Sequence, residues 1–382
     1  MREIRLPDYN HSILNTITSI LKYYNVETEH SSLKSLDEKL SKKYRNVVLI
    51  ILDGMGEHII KNISPNGYFV QNEIECVTSV YPSTTTAAIT TYYSGKPPYE
   101  TGWIAWSQYF KEYGRSLDML PQVESYTGES LKNARMDVFE EIMNYETVFS
   151  KIEKYSPSVK AYEIMPSYSE RKSTRTIKAD TPAEIIESIE MLCQNSGEKF
   201  IMAYCDNPDS LLHKFGTDSE EAKDFILNIE ESIKKMCDNL EDDTIVIISA
   251  DHGHLNVENA HTILDYPEIL ECLYMPAFLE SRMLTFFVKS EMKKIFEERF
   301  NKLFKEEFWL ITKDEFINKY HLLGFGKKHY KIDDFIGDYV AISTSNSMIR
   351  LETFLAEGKK IKKSTHCGLT KEEMEVPVIV IG

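Results

Sequence analysis

The chain has 382 residues, 42% hydrophobic and 27% charged, an ordinary globular balance with enough length for one large domain or two and an ample core. A net charge of -16 argues against a nucleic-acid-binding surface, so an anionic small substrate would need local positive charge, which bound metal can supply. The opening MREIRLPDYN has no apolar signal region, no run is long enough to span a membrane, and Cys76, Cys193, Cys205, Cys237, Cys272 and Cys367 lack CxxC spacing; together these predict a cytoplasmic protein with reduced thiols.

Two packing helices are expected first, one carrying Ile13, Ile17 and Leu21 on a single face, the second from Leu33 to Lys43. Val47 to Leu52 is then an unbroken, mostly β-branched apolar run ending at Asp53-Gly54-Met55-Gly56. A run this short, bounded by a turn, predicts a strand buried on both faces at the centre of an α/β sheet. Asp53 then stands at the carboxyl edge, where α/β proteins place ligands, although Asp-Gly also makes a plain turn. Gly-Met-Gly after a strand begins a dinucleotide fingerprint, but Ile59 occupies the place of its third glycine.

A short helix and a strand near Ile74 to Val80 lead to Tyr81-Pro82-Ser83-Thr84-Thr85-Thr86. Pro82 suits a first helical turn, and the helix is expected to run to about Ser94, where Gly95, Pro97 and Pro98 end it. Threonines in that first turn put hydroxyls and unpaired N–H groups at the positive end of the helix dipole, a good place for a phosphate or a nucleophile; simple capping is the plainer alternative. Gly102 to Leu120 reads as an aromatic loop holding Trp103, Trp106, Tyr109, Phe110 and Tyr113, with Lys111 and Arg115 among them, either walling a pocket or packed on its own rings.

From 147 to 250 helix and strand alternate: helix Thr147 to Tyr155, strand Val159 to Ile164, helix Pro182 to Cys193, strand Phe200 to Cys205, helix Asp218 to Cys237, strand Thr244 to Ser249. Such alternation implies parallel strands with crossover helices. After about 265 the pattern becomes strand-helix-strand-helix over Leu284 to Tyr320, with a turn at Gly324 to Tyr330 and a strand near Tyr339 to Ser343. The expected division is a core over 1–265, an α+β insertion over 266–344 that lies over the sheet edge and chooses the substrate, and a return over 345–382 that closes on a strand from Val376 to Ile381.

Two further strands end as the first one does. Phe200 to Cys205 delivers Asp206, Asp209 and His213, and Thr244 to Ser249 delivers Asp251-His252-Gly253. Asp209 and His213 are spaced i, i+4, so on a helix both face one way and can share a metal. Each piece alone also reads as a helix salt bridge or a turn, whereas three buried strands ending in oxygen and imidazole donors point to a divalent-ion site without thiolates.

With Leu52-Asp53-Gly54, Tyr81-Pro82-Ser83-Thr84-Thr85, Ser94-Gly95 through Thr101-Gly102, Pro208-Asp209 through His213-Lys214-Phe215-Gly216, Ser249 through Gly253 and Thr365-His366-Cys367-Gly368 in this order, the chain resembles the alkaline phosphatase superfamily, and most closely its type I phosphodiesterase/nucleotide pyrophosphatase branch. The resemblance implies a central, mostly parallel sheet flanked by helices. It implies two divalent ions, most commonly zinc, with manganese or iron as alternatives. One would be held by Asp209, His213 and His366, the other by Asp53, Asp251, His252 and the Thr85 oxygen. Thr85 would be the nucleophile, with Thr84 and Thr86 as fallbacks, and a phospho-threonine the intermediate. The implied substrate is a small phosphoric diester or nucleotide pyrophosphate, with no nucleic-acid polymer and no membrane as partner. Phosphonate hydrolysis, monoester hydrolysis, phosphomutase activity and a non-catalytic binding protein on the same core are the alternatives. Where the branch usually has an asparagine that binds a phosphate oxygen, Trp106 stands here; its indole N–H is a donor, and Lys111 or Arg115 are the other candidate substrate contacts.

Overall fold

The computed structural model describes residues 2–130, 137–169, 175–351 and 361–382. The Asn46–Leu52 strand is buried at every position. It lies between Glu198–Cys205 and Thr244–Ser249, parallel to both. Across the seven-stranded sheet the order is Glu73–Thr78, Glu375–Ile381, Thr244–Ser249, Asn46–Leu52, Glu198–Cys205, Val159–Met165 and Thr176–Lys178. Glu375–Ile381 alone runs against the direction of the other six strands, so the sheet is mostly parallel, as expected. Its apolar strands need cover on both faces. Helices Ile13–Tyr23, Thr85–Ser94 and Val148–Tyr155 pack together as one layer, and Glu57–Ile63, Pro182–Gln194 and Glu220–Asn239 supply the other.

Register explains why the functional residues meet. Leu52 pairs with Cys205 and Ile51 with Ser249, so two residues further along, Asp53 comes level with Asp251. The Gly54 N–H donates to Asp251 Oδ1 at 3.0 Å, and the Asp209 N–H donates to the Asp53 carbonyl at 2.9 Å. The glycines after Asp53 serve this packing. Gly54 has φ 74°, and a Cβ on Gly56 would lie 2.5 Å from the Gly253 Cα. Close approach of two turns therefore accounts for Gly-Met-Gly.

Two local expectations differ from what forms. The helix near Pro82 begins at Thr85, with Thr84 extended at φ -136° and ψ 147°. Tyr81 and Ser83 are tied by their hydroxyls to the carbonyls of Cys367 and Gly368, which holds the approach extended. The aromatic stretch contains strands Ser107–Phe110 and Arg115–Asp118, joined in an antiparallel sheet with Val123–Glu124. Gln108, Phe110 and Leu117 turn inward while Tyr109 and Ser116 do not, the period of two that a half-buried hairpin requires.

Beyond the core, strands Phe278–Glu280, Met283–Phe286, Tyr339–Ser343 and Phe308–Thr312 form a separate antiparallel sheet in that spatial order. Helix Lys293–Phe304 covers it with Phe296, Phe300 and Phe304, spaced i, i+4 on its buried face. The stretch Lys313 to Tyr320 is one wide helical turn, Glu315–Lys319. Residues 352–360 of the expected return lie outside the described residues. No helix among the described residues is long and apolar enough to cross a membrane.

Candidate active site

Two groups of ligand-type side chains form at the carboxyl edge of the sheet. Asp53, Asp251 and His252 make one; Asp209, His213, His254 and His366 make the other. Within each group the donor atoms all lie within 4.8 Å of one another. The His252 and His366 rings stack at a centroid distance of 3.8 Å, so the two groups adjoin. Six of the predicted ligands thus come together, and Thr85 joins them. Its hydroxyl is 3.4 Å from Asp53 Oδ2 and 3.3 Å from His252 Nε2. As the first residue of helix Thr85–Ser94, Thr85 also presents one of the N–H groups that lack an intrahelical acceptor.

The tautomers follow from the partners. His213 Nδ1 lies 2.7 Å from the Ser364 carbonyl, His252 Nδ1 3.1 Å from the Gly253 carbonyl, and His366 Nδ1 2.9 Å from the Ser83 carbonyl. A carbonyl only accepts, so each Nδ1 carries the proton and each Nε2 turns a lone pair inward. Burial holds His213 neutral, at about 3, and depresses His366 as well. Burial, and then the charge on Asp251, push the Asp53 carboxyl well above its ordinary range.

These donors fit divalent cations. Asp53 Oδ1 and Asp251 Oδ2 are buried and accept no hydrogen bond, although both stand 3.4 Å from His252 Nε2. Among the described residues no lysine or arginine pairs with either carboxylate. Lone pairs that converge in a buried site without a proton between them need a cation to offset their desolvation. Oxygen and nitrogen donors without thiolate suit zinc, manganese or iron.

Four residues at this edge were not singled out as site groups from sequence. His254 reaches Asp209 Oδ1 with Nε2 at 2.6 Å while Nδ1 meets Ser364 Oγ at 3.1 Å. It sits two residues past His252, the spacing at which an extended chain returns a side chain to the same side. Tyr204, on the Glu198–Cys205 strand, donates its hydroxyl to Asp53 Oδ2. Glu280, from the second sheet, accepts from the Trp106 N–H at 2.7 Å and from the Thr84 hydroxyl at 3.1 Å. Lys362 brings its ammonium to 2.9 Å from His213 Nε2.

The three expected substrate contacts are placed differently. Trp106 meets the site through its main chain, and its side chain is 39% exposed. Lys111 pairs with Asp334 at 2.5 Å, and Arg115, exposed, opens the middle strand of the small three-stranded sheet; neither touches the two clusters. His329 packs against Gly102 and meets the Ile142 carbonyl at 3.1 Å.

A family model described as type I phosphodiesterase / nucleotide pyrophosphatase matches residues 47–353. Murine ectonucleotide pyrophosphatase/phosphodiesterase 5, solved as an inactive variant in complex with AMP, superposes with a TM-score of 0.63 at 14% identity, over 89% of this chain and 88% of that one. The human counterpart gives 0.61 at 14%, over 89% and 88%. Phosphonoacetate hydrolase from Sinorhizobium meliloti 1021, in complex with phosphonoformate, gives 0.60 at 16%, over 88% and 90%. At these identities the likeness is one of fold. No curated protein sequence matches the chain.

Proposed function

Since the chain belongs to the type I phosphodiesterase/nucleotide pyrophosphatase family, and is thereby a phosphoryl-transfer hydrolase, we propose that it cleaves small phosphoric diesters or nucleotide pyrophosphates through a phospho-threonine at Thr85. One observation carries the reading: the Thr85 hydroxyl stands at a helix start, 3.4 Å from Asp53 and 3.3 Å from His252, beside the second cluster built on Asp209. Asp209, His213 and His366 would hold one divalent ion, and Asp53, Asp251, His252 and the Thr85 oxygen the other. When bound, such ions lower the pKa of a coordinated hydroxyl and neutralise charge on phosphoryl oxygens; zinc suits these donors best, manganese and iron next.

The protein's own groups do the rest. Asp53 accepts the Thr85 proton's hydrogen bond and so orients the oxygen lone pair toward phosphorus. Tyr204 fixes that carboxylate from behind. As the Thr85 proton passes to Asp53, Thr85 Oγ bonds to phosphorus. The bond between phosphorus and the ester oxygen breaks and that oxygen leaves with a proton from solvent, while the open N–H groups of the first helical turn take up part of the phosphoryl charge. Water then displaces Thr85 and returns the hydroxyl. A cytoplasmic setting is supported by six free cysteines. The division at 265 and 344 remains our proposal for the domains, with the insertion supplying Glu280 to the site.

Metal analysis combined with paired assays on an aryl phosphate monoester and diester tests this reading. Diester hydrolysis that disappears on chelation is expected. Thr85→Ala should lose activity by several orders of magnitude yet keep most of its metal, because six protein ligands remain; near-normal turnover in that variant would remove Thr85 as nucleophile.

A further inference from the structure

Glu280 comes from the second sheet, next to the tight turn that pairs it with Met283. One of its oxygens, Oε1, receives both the Trp106 N–H and the hydroxyl of Thr84, the residue before the nucleophile. Oε2 accepts no hydrogen bond from a described residue. The half-buried carboxylate lies within electrostatic reach of Lys362 and His252 on the side of the two clusters, and of the buried Tyr81 and Cys367. At the place where the resemblance leads one to expect an amide donor, the main chain of Trp106 instead anchors an acceptor.

We propose that Glu280 is a charge-selecting residue, which favours monoanionic phosphodiesters over dianionic phosphate monoesters. The inference rests on the proposed function and names its substrate class. Asp53, Asp209 and Asp251 already offset much of the charge that two divalent ions would bring. A fourth carboxylate beside the nucleophile lowers the site's positive potential further. In a partly desolvated cleft the interaction with a fixed charge scales with ligand charge, so the second negative charge of a monoester is opposed and a diester is spared. Lys362, 2.9 Å from His213 Nε2, offsets part of this opposition, which is strongest at the Thr84 and Trp106 groups that hold Glu280.

Glu280→Gln is the direct test, because the amide oxygen still accepts from Trp106 and Thr84 while the charge is gone. Both proteins are assayed on the alkaline side, because burial raises the Glu280 carboxyl. With metal-loaded protein, the diester-to-monoester ratio of kcat/KM should fall about tenfold, chiefly through a lower monoester KM. Binding of inorganic phosphate, read by calorimetry, should tighten by a similar factor. An unchanged ratio with both esters slowed together, or equal phosphate affinity in the two proteins, would overturn the selection role and leave Glu280 as a tether for the Trp106 loop. If the wild type hydrolyses neither ester, the proposed function fails, and the phosphate-binding comparison still decides for or against Glu280.

Discussion

An imidazole ring can be fixed by one nitrogen so that the other is aimed, and His254 shows how far that goes. Ser364 Oγ donates to the Leu212 carbonyl at 2.6 Å, so it accepts from His254 Nδ1. The proton of a neutral ring is then on Nδ1, and a bare Nε2 faces Asp209 Oδ1 at 2.6 Å. Two lone pairs at that separation repel unless a cation or a proton joins them. Burial favours the neutral ring, so His254 serves the Asp209 cluster as a fourth donor or as the group that aims its carboxylate. Replacing it by alanine should weaken metal binding at that cluster about 10–100-fold, measured by competition with a coloured chelator. Unchanged affinity would leave His254 as a packing residue only. Asp209 and His213 were legible in sequence because their i, i+4 pair, ambiguous alone, follows a buried strand as Asp53 and Asp251-His252 do, and because Pro208 to Gly216 carries part of the family resemblance. His254 was not, because a glycine corner separates it from His252, and a His-Gly-His run does not disclose which way each ring turns.

Between elements, the crucial joint is the buried pair of Arg282 and Glu373. Arg282 donates to Glu373 through Nε at 2.7 Å and Nη2 at 2.8 Å, and to the Ser345 and Ser347 carbonyls. Glu373 also accepts the Gly368 N–H at 2.7 Å and the Thr370 hydroxyl at 2.6 Å. The second sheet is thereby fastened to the Thr365–Gly368 segment that carries His366. Breaking one partner of such a pair strands the other's charge, at a cost of about 3–5 kcal/mol. Arg282→Met should therefore lower the urea midpoint and deplete metal from the Asp209 cluster before the Asp53 cluster. Equal depletion of both would mean that the joint stabilises the fold without positioning His366. None of this could be read from the chain, since a buried arginine is spelled like a surface one. The core strands were readable because they are continuous apolar runs. The Phe278–Glu280 strand, three residues long, has no pattern to find, and the hairpin after Gly102 was hidden by aromatic residues that suit loops and strands alike.

At the scale of the molecule, segments more than a hundred residues apart hold buried acids face to face, so the fold without ions works against itself. Burial and the Asp251 charge raise the Asp53 carboxyl, which means that the folded state prefers it protonated. Its contribution to stability is then present at low pH, below the unfolded value, and is lost as pH rises through the raised folded value. In chelated protein this cost of Asp53 runs against the depressed His213, His254 and His366, whose neutral rings add stability as pH rises from acid. It is therefore read by difference: Asp53→Asn should remove it and gain more stability than the wild type between acid and neutral pH. Divalent ions reverse the sign, because they bind the native clusters and not the unfolded chain. At a free ion concentration a hundredfold above Kd each site adds about 2.7 kcal/mol, or about 3 °C in Tm for a chain of this length. Two filled sites should raise Tm by about twice that, and Asp53→Asn, although steadier than the wild type when chelated, should gain only about half. Scanning calorimetry of both proteins, chelated and zinc-loaded, reads all four values. A wild type whose Tm ignores added zinc, or a chelated Asp53→Asn less stable than the chelated wild type at neutral pH, would show that the converging carboxylates are held by something other than cations.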